Sequence, residues 1–246
     1  MPTKPELLTA RLRDERGFTL VEVMIALVIG LVVSSATLAI VIISVHLSSN
    51  YTDRVDANQQ GRLAMEKITQ ALNSSCVTPN QPPVLSGSSS TSLTFYSALN
   101  DTPGPVPSLI TVTTAGTPTQ AAPLTMTTTV LTGTPPNWVP FTPLQVQVFT
   151  LASWAAESVS AGSPTPIFQY YGYGSGGTIS PTAFVLTGGV LSTAQAAATA
   201  EVQISYQVLP SDDWNATGRP ADFTDAVVFR LTPPSSSANA ANLPCT

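Results

Sequence analysis

RGFTLVEVMIALVIGLVVSSATLAIVII, residues 16–43, is the stretch on which the reading of the chain turns. From Phe18 to Val45 there are 28 residues and a single charge, Glu22. As a helix rising 1.5 Å per residue, the run reaches about 40 Å, more than the roughly 30 Å hydrocarbon core of a bilayer. A secretory signal has a shorter apolar region, about 7–15 residues, with a small-residue cleavage site after it. Here Gly17 stands before the run and the run is too long, so an ordinary signal peptide is not the reading. Glu22 is the anomaly. A carboxylate at membrane depth needs a positive partner or must take up a proton.

The flanks orient the run. Residues 1–17 hold Lys4, Arg11, Arg13 and Arg16 beside Glu6, Asp14 and Glu15. Four cationic side chains before an apolar helix keep that end in the cytoplasm. Past His46 the helical pattern continues as an amphipathic one. Leu47, Tyr51, Val55, Met65, Ile68 and Leu72 fall within about 140° of arc at 100° per residue, and Asp53, Asp56, Gln60, Glu66 and Lys67 lie mostly off it. No proline interrupts residues 18–78, so one helix over about 18–74 is expected, some 85 Å long. Its second half is expected to lie on a globular domain through that arc.

After Cys76 the composition changes. VTPNQPPVLSGSSSTS reads as a loop by its Pro, Gly and Ser content. Short β-type runs follow: SLTFYSAL, SLITVTT, PLTMTTTVL, PLQVQVFTLA, PIFQYYGY, TAFVLTG, EVQISYQVL and DAVVFRL. Strict alternation in Gln145–Phe149 and Val202–Tyr206 predicts half-buried antiparallel strands. TAQAAATA is expected to form a short helical turn. From Val77 to Ala200 the only ionised side chains are Asp101 and Glu157, and no Lys follows Lys67. Edge strands are usually guarded by Lys or Pro. Either this domain lives against other subunits or on an outer surface, or the composition is simply that of a Ser/Thr-rich exported protein.

Charged residues make up 9% of the 246, against roughly 25% in an average soluble domain. The net charge is −5 and no basic cluster follows residue 16, so nucleic acid is not the expected partner. The two cysteines, Cys76 and Cys245, favour one disulfide in an oxidising compartment, with two free thiols as the alternative.

Catalytic chemistry finds little purchase. His46 is the single histidine, with no Cys or Ser pairing suggested, and no G-x-S-x-G elbow occurs. No cofactor and no zinc site is expected, and the chain reads as no enzyme. SDDWNATGRPADFTD offers oxygens from Asp212, Asp213, Asn215, Asp222 and Asp225, so calcium is a weaker alternative to ordinary turn chemistry. The tyrosines of YYGYGSGG, residues 170–177, fit either an adhesive loop or a hairpin tip folded back on the sheet. Trp138, Trp154 and Trp214 read as core or hairpin residues.

Taken whole, RGFTLVEVMIAL with its basic flank closely resembles the leader of type IV prepilins and pseudopilins. The resemblance implies cleavage between Gly17 and Phe18 by a prepilin peptidase and N-methylation of Phe18. It places Glu22 at the fifth mature position, where it would pair with the α-amine of a neighbouring subunit and set the axial register. The expected architecture is a pilin-like α+β fold. Residues 1–17 are the leader, 18–45 the membrane and filament-core half of the helix, 46–75 its amphipathic half, and 76–246 an extracytoplasmic β-rich domain. Expected partners are other pilin or pseudopilin subunits, the peptidase and the inner-membrane assembly platform. The subunit is expected to wait as a single-pass protein of the cytoplasmic membrane before entering a surface filament.

Major pilins usually bend their helix with a proline near the twenty-second mature position; here SATLAIVI has none, and only Gly30, Ser34 and Ser35 are soft spots. The mature chain is also large for a major subunit. A minor pilin acting in priming or at the tip is therefore the first reading. A J-type pseudopilin of type II secretion and a membrane-anchored adhesin are the alternatives. ANQQGRLAMEKITQAL and DAVVFRLTPP are similar to segments of W-type minor pilins and J-type pseudopilins.

Overall fold

The computed structural model describes residues 17–77, 81–98, 107–117, 120–134, 137–142, 144–160, 163–174, 176–210 and 220–229. Two units are distinguished, residues 1–50 and 51–246. A helix, α1, runs Leu20–Asn73. In the first unit its apolar side chains are all exposed, and it is long and apolar enough to cross a membrane. The helix continues unbroken through Gly30, Ser34 and Ser35. The hydroxyls of Ser35, Thr37 and Ser44 donate back to the carbonyls of Val32, Ser34 and Ile40 at 2.8–2.9 Å. Each thereby hides its polar hydrogen within the helix.

The second unit packs the outer part of α1 on a nine-stranded sheet. The strands are β1 (Ser92–Ser97), β2 (Ser108–Thr113), β3 (Ala122–Thr134), β4 (Asn137–Pro140), β5 (Val146–Ser160), β6 (Ser163–Thr165), β7 (Phe168–Gly172), β8 (Thr199–Val208) and β9 (Ala221–Val228). A short helix, α2 (Thr193–Ala198), precedes β8. The order is β1-β2-β3-β5-β8-β7, with β4 on β3, β6 on β5 and β9 on β8. Every pairing is antiparallel. An α+β architecture of long apolar helix and antiparallel sheet is thus what the sequence builds.

Alternation sets the two faces of β1 and β2. Leu93, Phe95, Ile110 and Val112 are buried toward the core, which continues through Leu124, Val202, Ile204 and Val208. The opposite face is a grid of hydroxyls. Register aligns Ser92, Thr113, Thr125 and Thr150 in one row, and Thr94, Thr111, Thr127 and Val148 in the next. Threonine fits here because its branched Cβ suits a pleated strand while its hydroxyl faces water.

The buried face of α1 is not the arc that hydropathy picks out. Ile68 and Leu72 are fully buried as expected, but Leu47, Tyr51 and Val55 are exposed and Met65 is half-buried. Ala57, Gly61, Ala64 and Ala71 fill the interface instead. The reason is close approach. A Cβ on Gly61 would collide with the ring of Phe223, and the Tyr206 hydroxyl donates to the Gly61 carbonyl at 2.8 Å. Tyr206 and Phe223 stack with centroids 5.7 Å apart. Gln60 also joins the sheet, accepting from the Ser153 N–H at 3.1 Å. Ile68 and Leu72 each contribute about 1.5–3 kcal/mol by leaving water.

Other expectations resolve in detail. TAFVLTG is not a strand; it forms an irregular segment closed by Gly188 and Gly189 at φ +70 and +80, angles that suit glycine. Phe184 there folds over Gly172, and the Gln195 amide holds the Val185 carbonyl at 2.9 Å. TAQAAATA does form a helix, started by a capping box between Ser192 and Gln195.

Candidate functional site: the start of the long helix

Gly17, Phe18 and Thr19 lie before the first helical residue, and Thr19 caps it. The Glu22 N–H donates to the Thr19 carbonyl at 3.0 Å and to its hydroxyl at 3.3 Å, and the Val23 N–H to the Thr19 carbonyl at 3.2 Å. Thr-x-x-Glu is a helix-start signature that the charge argument passes over. Glu22 therefore falls in the first turn, where the positive end of the helix dipole favours a carboxylate.

Phe18 is 80% exposed, and the residues four apart after it, Glu22, Ala26, Gly30 and Ser34, line one shallow groove with Val23, Leu27 and Leu31. Small side chains at Ala26, Gly30 and Ser34 permit a second backbone to come close. A Cβ on Gly17 would meet nothing within 4 Å. Among the described residues, nothing asks for glycine at that position.

The other candidate residues are placed as follows. Cys76 is buried just past the end of α1, with its N–H on the Tyr96 carbonyl at 2.9 Å, and no described cysteine is free. Cys245 lies outside the described residues, as do Asp212, Asp213, Trp214 and Asn215. Asp222 accepts from the Ser158 hydroxyl at 2.9 Å. Asp225 accepts from the Thr69 hydroxyl at 3.2 Å and the Ala226 N–H at 2.8 Å. Among the described residues no cluster of His, Cys, Asp and Glu could hold a metal ion.

Of the tyrosines of 170–173, Tyr170 turns inward, Tyr171 is half-buried and Tyr173 is exposed. Tyr170 is buried with its hydroxyl on the Ser89 carbonyl at 2.8 Å. Tyr171 bonds Gln169 and Gln203, and Tyr173 the Phe229 carbonyl at 3.1 Å. Burial pushes the Tyr170 and Tyr206 phenols well above their ordinary range. Desolvation likewise raises the Glu157 carboxyl. His46 stands exposed on α1.

Neither a curated protein nor a solved structure matches the chain. The family described as the prokaryotic N-terminal methylation motif matches residues 12–38, a span that contains Gly17, Phe18, Glu22 and the start of α1. Those residues carry the leader signature of type IV prepilins and pseudopilins.

Proposed function

We propose that the chain is a minor subunit of a type IV pilus, cut between Gly17 and Phe18 by a prepilin peptidase and methylated on the new Phe18 amine. The observation that carries this is the methylation motif joined to a helix whose apolar side chains have no cover of their own. Gly17 supports it further, because among the described residues neither packing nor backbone conformation requires glycine there. A small residue at that place is what a peptidase reading the site would need.

Before cutting, Glu22 has the helix dipole in its favour. Cutting creates an α-amine at Phe18, one turn away along the groove of Ala26, Gly30 and Ser34. In a filament that amine belongs to an adjoining subunit. Pairing with it compensates a carboxylate in an apolar setting and fixes the axial position, which apolar packing alone leaves loose. A Cys76–Cys245 bridge is proposed to hold the chain's end beside the end of α1. The subunit starts as a single-pass membrane protein, leader in the cytoplasm, and works through assembly rather than catalysis.

The experiment is mass and N-terminal analysis of the full chain made with and without an active prepilin peptidase. The proposal expects a start at Phe18, with one added methyl, only when the peptidase is present. A chain that keeps residues 1–17 in working filaments overturns it. Given processing, Glu22→Ala is expected to leave the protein in the membrane and cut its recovery in sheared filaments at least tenfold.

One observation favours a second reading. Thr69 and Asp225, from the helical segment and the late strand that resemble W-type minor pilins and J-type pseudopilins, are joined by a hydrogen bond of 3.2 Å. A J-type pseudopilin of type II secretion is the alternative. Loss of exoprotein export on deletion, with twitching intact, would select it.

A further inference from the structure

The exposed part of α1 does not end where its apolar run ends. Between Val45 and Ala57, the first of its residues buried against the sheet, lie residues 46–56, HLSSNYTDRVD, and every one of them is exposed. The apolar part before them suits lipid, where no water competes for the backbone bonds of a helix. The part after them is held on the sheet by Ala64, Ile68 and Leu72. Residues 46–56 are too polar for the first kind of support and stand outside the second.

Their composition does not make up for it. All but Leu47 and Arg54 are weak helix formers. Serine, threonine, asparagine and aspartate add side-chain bonds that compete for the backbone. The Asn58 amide, one turn on, already donates to the Arg54 carbonyl at 2.8 Å.

Two magnitudes decide whether such a stretch opens. A break in mid-helix adds one more helix start, which costs about a thousandfold and favours the closed form. Against that, each weak former continues a helix about two- to threefold less readily than alanine, which itself sits near even odds. Compounded over nine such residues, the second factor is on the order of several thousandfold and offsets the first.

We infer that α1 opens at residues 46–56 as a local joint while the helix on either side stays formed. An extended residue spans up to about 3.3 Å against about 1.5 Å in a helix, so full opening adds about 20 Å of reach to the chain. It breaks none of the contacts between α1 and the sheet, because the buried stripe begins at Ala57. Opening also presents the backbone around Arg54 to a protease, which cuts extended chain and not helix. This inference does not depend on leader processing.

The test is hydrogen exchange of the full chain in detergent micelles, read by mass spectrometry. Amides of residues 48–56 are expected to exchange at least a hundredfold faster than those of residues 62–72. Ser49→Ala, Asn50→Ala and Asp53→Ala combined are expected to slow that exchange about tenfold, with near-ultraviolet dichroism unchanged. Brief trypsin treatment reads the same joint independently. Cutting after Arg54 is expected to run at least tenfold ahead of cutting after Arg62 or Lys67, and to slow in the triple variant. Protection at 48–56 equal to that at 62–72, exchange indifferent to the three alanines, or cutting led by Arg62 or Lys67 would each overturn the joint.

Discussion

The part of α1 before residue 50 and the part after it solve opposite problems. Up to Asn50 every described side chain is exposed, including Leu20, Val28, Leu31 and Ile40. From Tyr51 onward α1 buries one stripe, and four of the six residues in it are alanine or glycine. Large apolar residues with nothing on them mark a helix whose solvent lies outside this chain, in lipid or in other helices. Small buried residues mark a helix whose solvent is the chain itself, held so near the sheet that size counts for more than hydropathy.

The largest effect that would sharpen this contrast is truncation in the packed part. Ile68→Ala in the detergent-solubilised full chain is expected to lower unfolding stability by about 2–5 kcal/mol, read by near-ultraviolet dichroism against denaturant. Val28→Ala is expected to leave that transition unmoved. Equal losses from both would erase the distinction between the two parts.

Enlargement comes next. Gly61→Ala gains about 1 kcal/mol in helix propensity but drives a methyl into the Phe223 ring, at about 1–3 kcal/mol. A net loss is expected, and Phe223→Leu in the same chain should recover part of it. A more stable Gly61→Ala protein would show that the close approach is unimportant.

Smaller again is Tyr206→Phe, which leaves the Gly61 carbonyl without its donor and should cost about 1 kcal/mol. It also changes the alkaline limit. The phenols of Tyr170 and Tyr206 titrate higher folded than unfolded, so their contribution is intact below about pH 10 and is lost as pH rises beyond it. The wild-type stability should fall faster above pH 10 than that of Tyr206→Phe.

The smallest expected effect is at Glu157, whose carboxyl is raised by desolvation. Its stabilising contribution is present below its unfolded value and is lost as pH climbs through the folded one. Glu157→Gln should therefore be slightly more stable at neutral pH, with the gain vanishing near pH 3.

Where the chain shows a strong period or a rare residue, sequence alone reads the structure well. The helix start, the uninterrupted run from Leu20 and the strands around Phe95, Ile110, Phe149 and Ile204 were all legible. So was Glu22 as an anomaly, though its cap on Thr19 was not sought. The interface of α1 was illegible because alanine and glycine carry almost no hydropathic signal, and what selects them is the pair of rings opposite. TAFVLTG has strand composition, but paired glycines and the contact of Phe184 with Gly172 turn it aside. β4 and β6 were missed because prolines crowd them: Pro140 ends β4 and Pro164 sits inside β6.

The hydroxyl grid on β1, β2, β3 and β5 has an outcome for the wet side of the molecule. Its affinity for water comes from dipoles, which neither titrate nor recruit counterions. Across brine, fresh water or acid, that face should present the same hydration shell, indifferent to changes that would swell or collapse a charged one.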